Sequence, residues 1–171
     1  MNLMLIGNGR AGKGTFCKVA LNSFGLTSKS SSRMGCEMGL YEKFKDMFGY
    51  ADMEECYNDR HSKRELWYQG ICDLCDPNKS AVGRAIYNLH DIYDGCRDDL
   101  ELNAIKAEGL IDLVIWIDAG DRVQAEGSGS MKLTKDDADI VIYNTTTEAE
   151  YIEKVKRFLS ALTKGGVSYE C

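Results

Sequence analysis

Nowhere in these 171 residues does an apolar run approach the length needed to cross a membrane. The chain also lacks a basic excess. Its 21 Lys and Arg stand against 27 Asp and Glu, a net charge of −6, which argues against a broad, nonspecific grip on nucleic acid and leaves room only for a local basic groove. The paired cysteine framework of a small secreted domain is missing. Seven cysteines are an odd number in a chain that is neither small nor loop-rich, and they read as reduced thiols of a cytoplasmic protein. Cys72-Asp73-Leu74-Cys75 has no second C-x-x-C and no H-x-x-x-H to complete a zinc site, and its segment reads as helix, so metal or redox use is not expected there. No basic leader precedes the first apolar run, so a signal peptide is not expected either. Internal repeats and low-complexity blocks are absent. With 44% hydrophobic and 28% charged residues, the chain reads as one soluble domain, long enough for a core around a central sheet.

What is present organises itself around Gly7 to Thr15, G-N-G-R-A-G-K-G-T. The short apolar run Leu3-Met4-Leu5-Ile6 precedes it, as expected of a buried parallel strand. Behind it, Phe16, Val19, Ala20 and Phe24 share one helical face. Strand, glycine-rich turn and helix are the context of a phosphate-binding P-loop. Successive N–H groups can point inward at an anion, the helix N-terminus adds partial positive charge, and Lys13 is placed to neutralise the outer phosphates. The hydroxyl residue comes one place late: Gly14 follows the lysine and Thr15 follows Gly14. That leaves open whether Thr15 touches Mg²⁺ or a phosphate.

Further along, Gly25 is a helix stop and Leu26 to Ser28 a short strand. Met34, Met38, Tyr41, Phe44 and Phe48 repeat at the spacing of one helix, which Gly49-Tyr50 ends. Asp52 and Glu55 cap a helix expected to carry Asp59, Arg60, Arg64, Trp67 and Tyr68, with Arg60, Arg64 and Trp67 on neighbouring turns of one face. Asp76-Pro77-Asn78 opens the next helix, through about Leu89. His90 to Tyr93, Leu110 to Ile117 and Ala138 to Tyr143 complete five strands. Asp98 with Glu101 and Thr147 with Glu150 cap the last two helices, the final one burying Tyr151, Val155, Phe158 and Leu162. The tail from Gly165 is expected to be loose. Strands alternating with helices imply an α/β fold with a parallel five-stranded sheet covered on both faces.

Ligands of such sheets bind beyond the carboxyl ends of the strands, which gathers the P-loop, Asp94 to Arg97, Asp118 and Asn144 to Thr146 at one rim. Phosphoryl transfer needs a cradle, a cation and arginines around the moving group. Asp94 is a candidate for holding Mg²⁺ or its water, or a plain turn residue. Arg97 offers a planar fork matched to phosphate oxygens. Arg33, Arg60 and Arg64 are further candidates, and Arg122 in the polar, glycine-rich stretch 119–130 could close over the phosphates. Trp67 and Tyr68 can stack on an acceptor base or fill core. Asp59 would serve as general base if the acceptor is an alcohol, whereas a phosphate acceptor, already ionised, needs none.

Taken together, G-R-A-G-K-G-T, S-S-S-R, E-C-Y-N-D-R-H-S-K-R-E-L-W-Y, D-I-Y-D-G-C-R, D-L-V-I-W-I-D-A and A-D-I-V-I-Y-N resemble bacteriophage P-loop kinases of the deoxynucleoside monophosphate kinase type, over the chain up to about Val155. The resemblance implies a nucleoside monophosphate kinase-like fold with ATP and Mg²⁺. Gly9, Arg10, Ala11, Gly12, Lys13, Gly14 and Thr15 would hold the ATP phosphates, Arg97 would sit at the phosphates beside the acceptor, and Asn144 and Thr145 would lie near the adenine. Thr15 and Asp94 would be the metal-side residues. G-K-G-T and D-G-C-R are similar to motifs of adenylate kinase, although the second lacks its proline and no long arginine-rich lid is inserted. The acceptor is expected to be a deoxynucleotide, bound by a helical part at about 29–76. A second branch of the same kinases, which phosphorylates 5-hydroxymethyluridine in DNA, is the alternative. A non-catalytic nucleotide switch is the third reading. A homodimer is compatible with the sequence.

Overall fold

Leu3–Ile6, strand β1, is the middle strand of the sheet, and its four residues are fully buried. A computed structural model describes residues 1–127 and 129–165. The other strands are β2 (Ser28–Ser30), β3 (Ile92–Asp94), β4 (Leu113–Asp118) and β5 (Ile140–Tyr143), and the order across the sheet is β2-β3-β1-β4-β5. Every pairing is parallel, so all carboxyl ends reach one rim. The helices are α1 (Lys13–Phe24), α2 (Ser31–Gly35), α3 (Tyr41–Phe48), α4 (Met53–Asp59), α5 (Arg64–Leu74), α6 (Ala81–Tyr87), α7 (Asp99–Ala107) and α8 (Glu148–Gly165). No helix among the described residues is long and apolar enough to cross a membrane.

The strand period of two sorts the core into two layers. Leu3 and Leu5 pack with Phe16, Val19 and Ala20 of α1 and with Tyr151, Val155 and Leu159 of α8. Met4 and Ile6 pack in the other layer with Phe44, Trp67, Ile71, Val82, Ile86 and Leu102 from the remaining helices. The expected parallel sheet with helices on both faces is the fold that forms. Gly25 ends α1 as foreseen, in the left-handed region with its N–H on the Ala20 and Leu21 carbonyls, and Thr147 and Glu150 form the reciprocal cap of α8.

Two expected helices are broken. The stripe from Met34 to Phe48 is not continuous: a π-helical segment, Cys36–Leu40, joins α2 to α3, and Gly39 turns the chain at φ 130. The turn drives Leu40, off the stripe, between two glycines. A Cβ at Gly35 or at Gly70 would lie 2.9 Å from its methyl groups. The segment from Asp52 to Tyr68 is likewise two helices, α4 and α5, with Arg60 in the turn between them rather than on a shared face with Arg64. Local bonds favour that turn over helix: the Ser62 hydroxyl donates to the Asp59 carbonyl at 2.9 Å, and the Arg60 guanidinium to the Tyr57 carbonyl at 2.7 Å. The second strand starts two residues later than expected, and β3 to β5 are shifted or shortened by one to three residues. Leu159 joins the buried face of α8, while Phe158 and Leu162 are only half-buried. Ser128 of the 119–130 stretch and the tail from residue 166 lie outside the described residues.

Candidate active site

Between β1 and α1 the chain curls tightly. Gly7 and Gly12 take φ 129 and 114, and Arg10 takes φ 64. Side chains would collide here: a Cβ at Gly7 would stand 2.6 Å from the Ile117 carbonyl oxygen, and one at Gly12 2.3 Å from the Asn144 amide nitrogen. Asn144, at the exit of β5, donates from Nδ2 to the Ala11 carbonyl at 2.7 Å, and the Tyr151 hydroxyl donates to the Gly12 carbonyl at 3.2 Å. The loop is thus braced from behind, and its open side faces a cleft.

Lys13 Nζ donates to the Gly7 and Asn8 carbonyls at 2.7 and 2.9 Å. Burial lowers its pKa, against the pull of Asp94. Asp94 ends β3, half-buried; burial raises its pKa against Lys13, Arg97 and Arg60. Its Oδ1 is buried without a hydrogen-bond partner among the described residues. A hard oxygen without a partner, in a cleft that Thr15 also lines, fits the donor set of Mg²⁺, and the loop fits the phosphates of ATP.

The cleft is lined on one side by Arg10, Gly12 to Thr15 and Lys18, and on the other by Tyr57, Arg60, His61, Asp94 and Arg97. A second recess adjoins it, floored by Trp67, Tyr68, Ile71, Tyr93, Asp98 and Glu101. Arg60, His61, Arg97 and the Ser31-Ser32 pair line both. One wall therefore belongs to both the P-loop cleft and the aromatic recess. The pKa of His61 is lowered by burial and by Arg60, Arg64, Arg10 and Arg97. In the recess the Tyr68 hydroxyl donates to Asp98 at 2.6 Å, and the Tyr93 hydroxyl to Glu101 at 2.8 Å. Burial pushes the Glu101 carboxyl up to about 7. Trp67 packs edge-on to Phe44, 3% exposed, with its indole N–H unpartnered.

Several expected site residues stand elsewhere. Asp59 lines neither cleft; it accepts from the Tyr50 hydroxyl at 2.5 Å and from Ser62 and Lys63, which hold its carboxyl well below the usual range. Arg33 also lines neither: it is held by Glu54 at 2.8 Å and lies over the Tyr57 ring, 3.9 Å from its centroid, which Arg60 also stacks on at 3.7 Å. Arg122 donates to the Asn144 carbonyl at 3.1 Å and does not reach the P-loop cleft. The Asn144 side chain is buried behind the P-loop rather than open to a base, while Thr145 is exposed. Cys72 lies 3.9 Å from an Asp98 carboxylate oxygen, and Cys75 is buried.

What sequence reasoning missed is Glu126. From the same stretch as Arg122, it sets its carboxylate against the Gly9 N–H, between Arg64 and Arg97. Burial opposes its ionisation, but bonds from Arg97 and Arg64 outweigh it and hold the carboxyl at about 2. No local pattern signals such a role for one acidic residue in a polar loop.

No protein-family model matches the chain, and no curated protein matches it by sequence. Solved structures do. A shikimate kinase from Acinetobacter baumannii in complex with shikimate is 11% identical, with 98% of this chain and 95% of that one covered at a TM-score of 0.55. The shikimate kinase of Aquifex aeolicus vf5 is 16% identical over 97% of this chain and 100% of its own, at 0.50. A dephospho-CoA kinase from Campylobacter jejuni is 15% identical over 97% and 98%, again at 0.50. The chain has the P-loop kinase fold; at these identities the likeness is one of fold.

Proposed function

We propose that the protein is an ATP- and Mg²⁺-dependent phosphotransferase acting on a deoxynucleotide, in the first place a deoxynucleoside monophosphate, converted with ATP to the diphosphate and ADP. The observation that carries this reading is the shared wall. Arg60 and Arg97 line both the P-loop cleft and the aromatic recess, so two guanidiniums stand where donor and acceptor would meet. An acceptor that brings its own phosphate oxygens suits that charge; a neutral alcohol does not require it.

In this reading the P-loop amides and Lys13 hold the donor phosphates, and Arg97 spans donor and acceptor. Mg²⁺, when bound, supplies neutralisation of phosphate charge, and Thr15 and Asp94 would hold it. The acceptor base enters the recess over Trp67, Tyr68 and Tyr93. Its phosphate oxygen is ionised at neutral pH and attacks without a general base.

A second reading has the hydroxymethyl group of 5-hydroxymethyluridine in DNA as acceptor. One observation favours it: the unpartnered oxygen of Asp94 lies in the cleft and could take the proton that an alcohol must lose. Labelled ATP supplied with each deoxynucleoside monophosphate, and separately with DNA containing 5-hydroxymethyluridine, decides between them. Label on the DNA alone overturns the first reading. Tight ATP binding with no transfer to any acceptor indicates a nucleotide switch.

A further inference from the structure

The Glu126 carboxylate makes a set of contacts that no surface ion pair requires. One oxygen accepts from the Gly9 N–H of the P-loop and from Arg97 Nη2 at 3.2 Å, and forms an ion pair with Arg64 Nη1 at 2.6 Å. The other accepts from Arg97 Nη1 and from the Ser130 hydroxyl at 3.5 Å. Its side chain is 9% exposed. A backbone amide, two guanidiniums and a hydroxyl around one anion are the donors of a phosphoryl group. The attachment is also secured by the main chain: the Glu126 N–H donates to Asn8 Oδ1 at 3.1 Å, and Arg97 donates to the Ser130 carbonyl at 3.1 Å. Meanwhile Lys13 is bonded to the loop's own carbonyls and not to Glu126.

We infer that Glu126 is a built-in phosphate surrogate: it occupies the Gly9 amide at one end of the P-loop, keeps Arg64 and Arg97 together, and must be displaced before a nucleotide phosphate can take that amide. The inference rests on reading Gly7 to Thr15 as a phosphate cradle. Two anions cannot share one N–H, and a phosphate beside a retained carboxylate would face like-charge repulsion in a poorly solvated place. Apparent affinity for an external anion is therefore reduced by the fraction of molecules in which the surrogate is in place. Without the carboxylate, Arg64 and Arg97 lie side by side unpaired, and an external anion gains both.

The test is titration calorimetry with pyrophosphate, and with a non-hydrolysable ATP analogue, on the wild type, Glu126→Gln and a charge-matched control, Glu153→Gln, on the exposed side of α8. Glu126→Gln is expected to bind pyrophosphate at least about tenfold more tightly than the wild type, and the control to be unchanged. Its melting temperature should fall without ligand and recover with pyrophosphate by more than that of the wild type. Equal or weaker pyrophosphate binding by Glu126→Gln overturns the inference. Should that variant fail to fold even with pyrophosphate, Glu126→Asp decides: one methylene shorter, it loosens the surrogate and must also bind more tightly, and unchanged affinity overturns the proposal. Equal ATP-analogue binding by all proteins removes the surrogate but leaves the kinase reading standing. Absence of binding by every protein removes both.

Discussion

The Asn144 amide donates to the Ala11 carbonyl at 2.7 Å, joining residues 133 positions apart. It ties the exit of β5 to the middle of the P-loop, and Gly12, next in the chain, has no Cβ because that amide occupies the space. The curl of the loop is therefore held by the far end of the sheet as well as by its own glycines.

Asn144→Ala should accordingly destabilise the protein by about 1–3 kcal/mol, the cost of leaving a buried carbonyl unpaired. It should also raise KM for ATP while leaving the acceptor KM within a factor of about two. Denaturant unfolding and steady-state kinetics check both, and an effect confined to the acceptor would contradict this assignment.

Lys13 is half-buried, with its ammonium on the Gly7 and Asn8 carbonyls. Lys13→Ala should lower phosphoryl transfer by at least about 10²-fold, as loss of a charge-stabilising donor does elsewhere, with an unchanged circular dichroism spectrum. Retained transfer would mean that Gly7 to Thr15 does not hold the donor.

Arg60 belongs to the wall shared by the two clefts. Arg60→Ala should raise the KM of a monophosphate acceptor about ten- to a hundredfold, the range for losing a charged hydrogen bond, with little change in ATP binding. An equal loss for both substrates would place Arg60 on the donor side.

Asp59 is engaged by Tyr50, Ser62 and Lys63 away from both clefts. Asp59→Asn should leave transfer unaffected whether the acceptor is a phosphate or an alcohol. A selective loss with alcohol acceptors would return Asp59 to the role of base. By contrast, Asp94→Asn should impair either reaction, since the carboxylate lies in the cleft with Lys13.

Glu101 sets a pH window for stability. Burial raises its carboxyl from the ordinary 4.5 to about 7, so the folded state binds the proton more tightly than the unfolded state. The sign follows: stability falls as the pH rises from about 4.5 to 7 and levels off above, with a span of the order of 3 kcal/mol. Glu101→Gln, able to keep the Tyr93 contact, should flatten that slope and be the more stable protein at pH 8. Denaturant midpoints at pH 5 and pH 8 measure it, and an unchanged slope would assign the dependence to another group.

Local chemistry was legible in the chain. The strand, tight loop and helix from Leu3 to Phe24 are legible because glycine spacing and the flanking apolar periods act over a dozen residues. The stop at Gly25 and the cap at Thr147 were legible for the same reason. Where local pattern misled, a non-local contact had prevailed. Periodicity ran one helix from Met34 to Phe48, but Leu40 needed the space beside Gly35 and Gly70, and the chain turned at Gly39 to reach it. The caps and spacing from Asp52 to Tyr68 suggested one helix, but side chain to backbone bonds at Asp59 and Arg60 divided it.

The sequence by itself determined a strand, a tight glycine-rich loop and a helix, and a parallel sheet around them. Only the tertiary structure decided which arginines line the P-loop cleft, that Asp59 and Arg33 stand apart from it, and that Glu126 reaches Gly9 across 117 residues. The physical reason is one of range. Backbone curvature is encoded by neighbouring residues, whereas the convergence of side chains depends on strand order and on the paths of loops, which packing fixes between segments far apart in the chain.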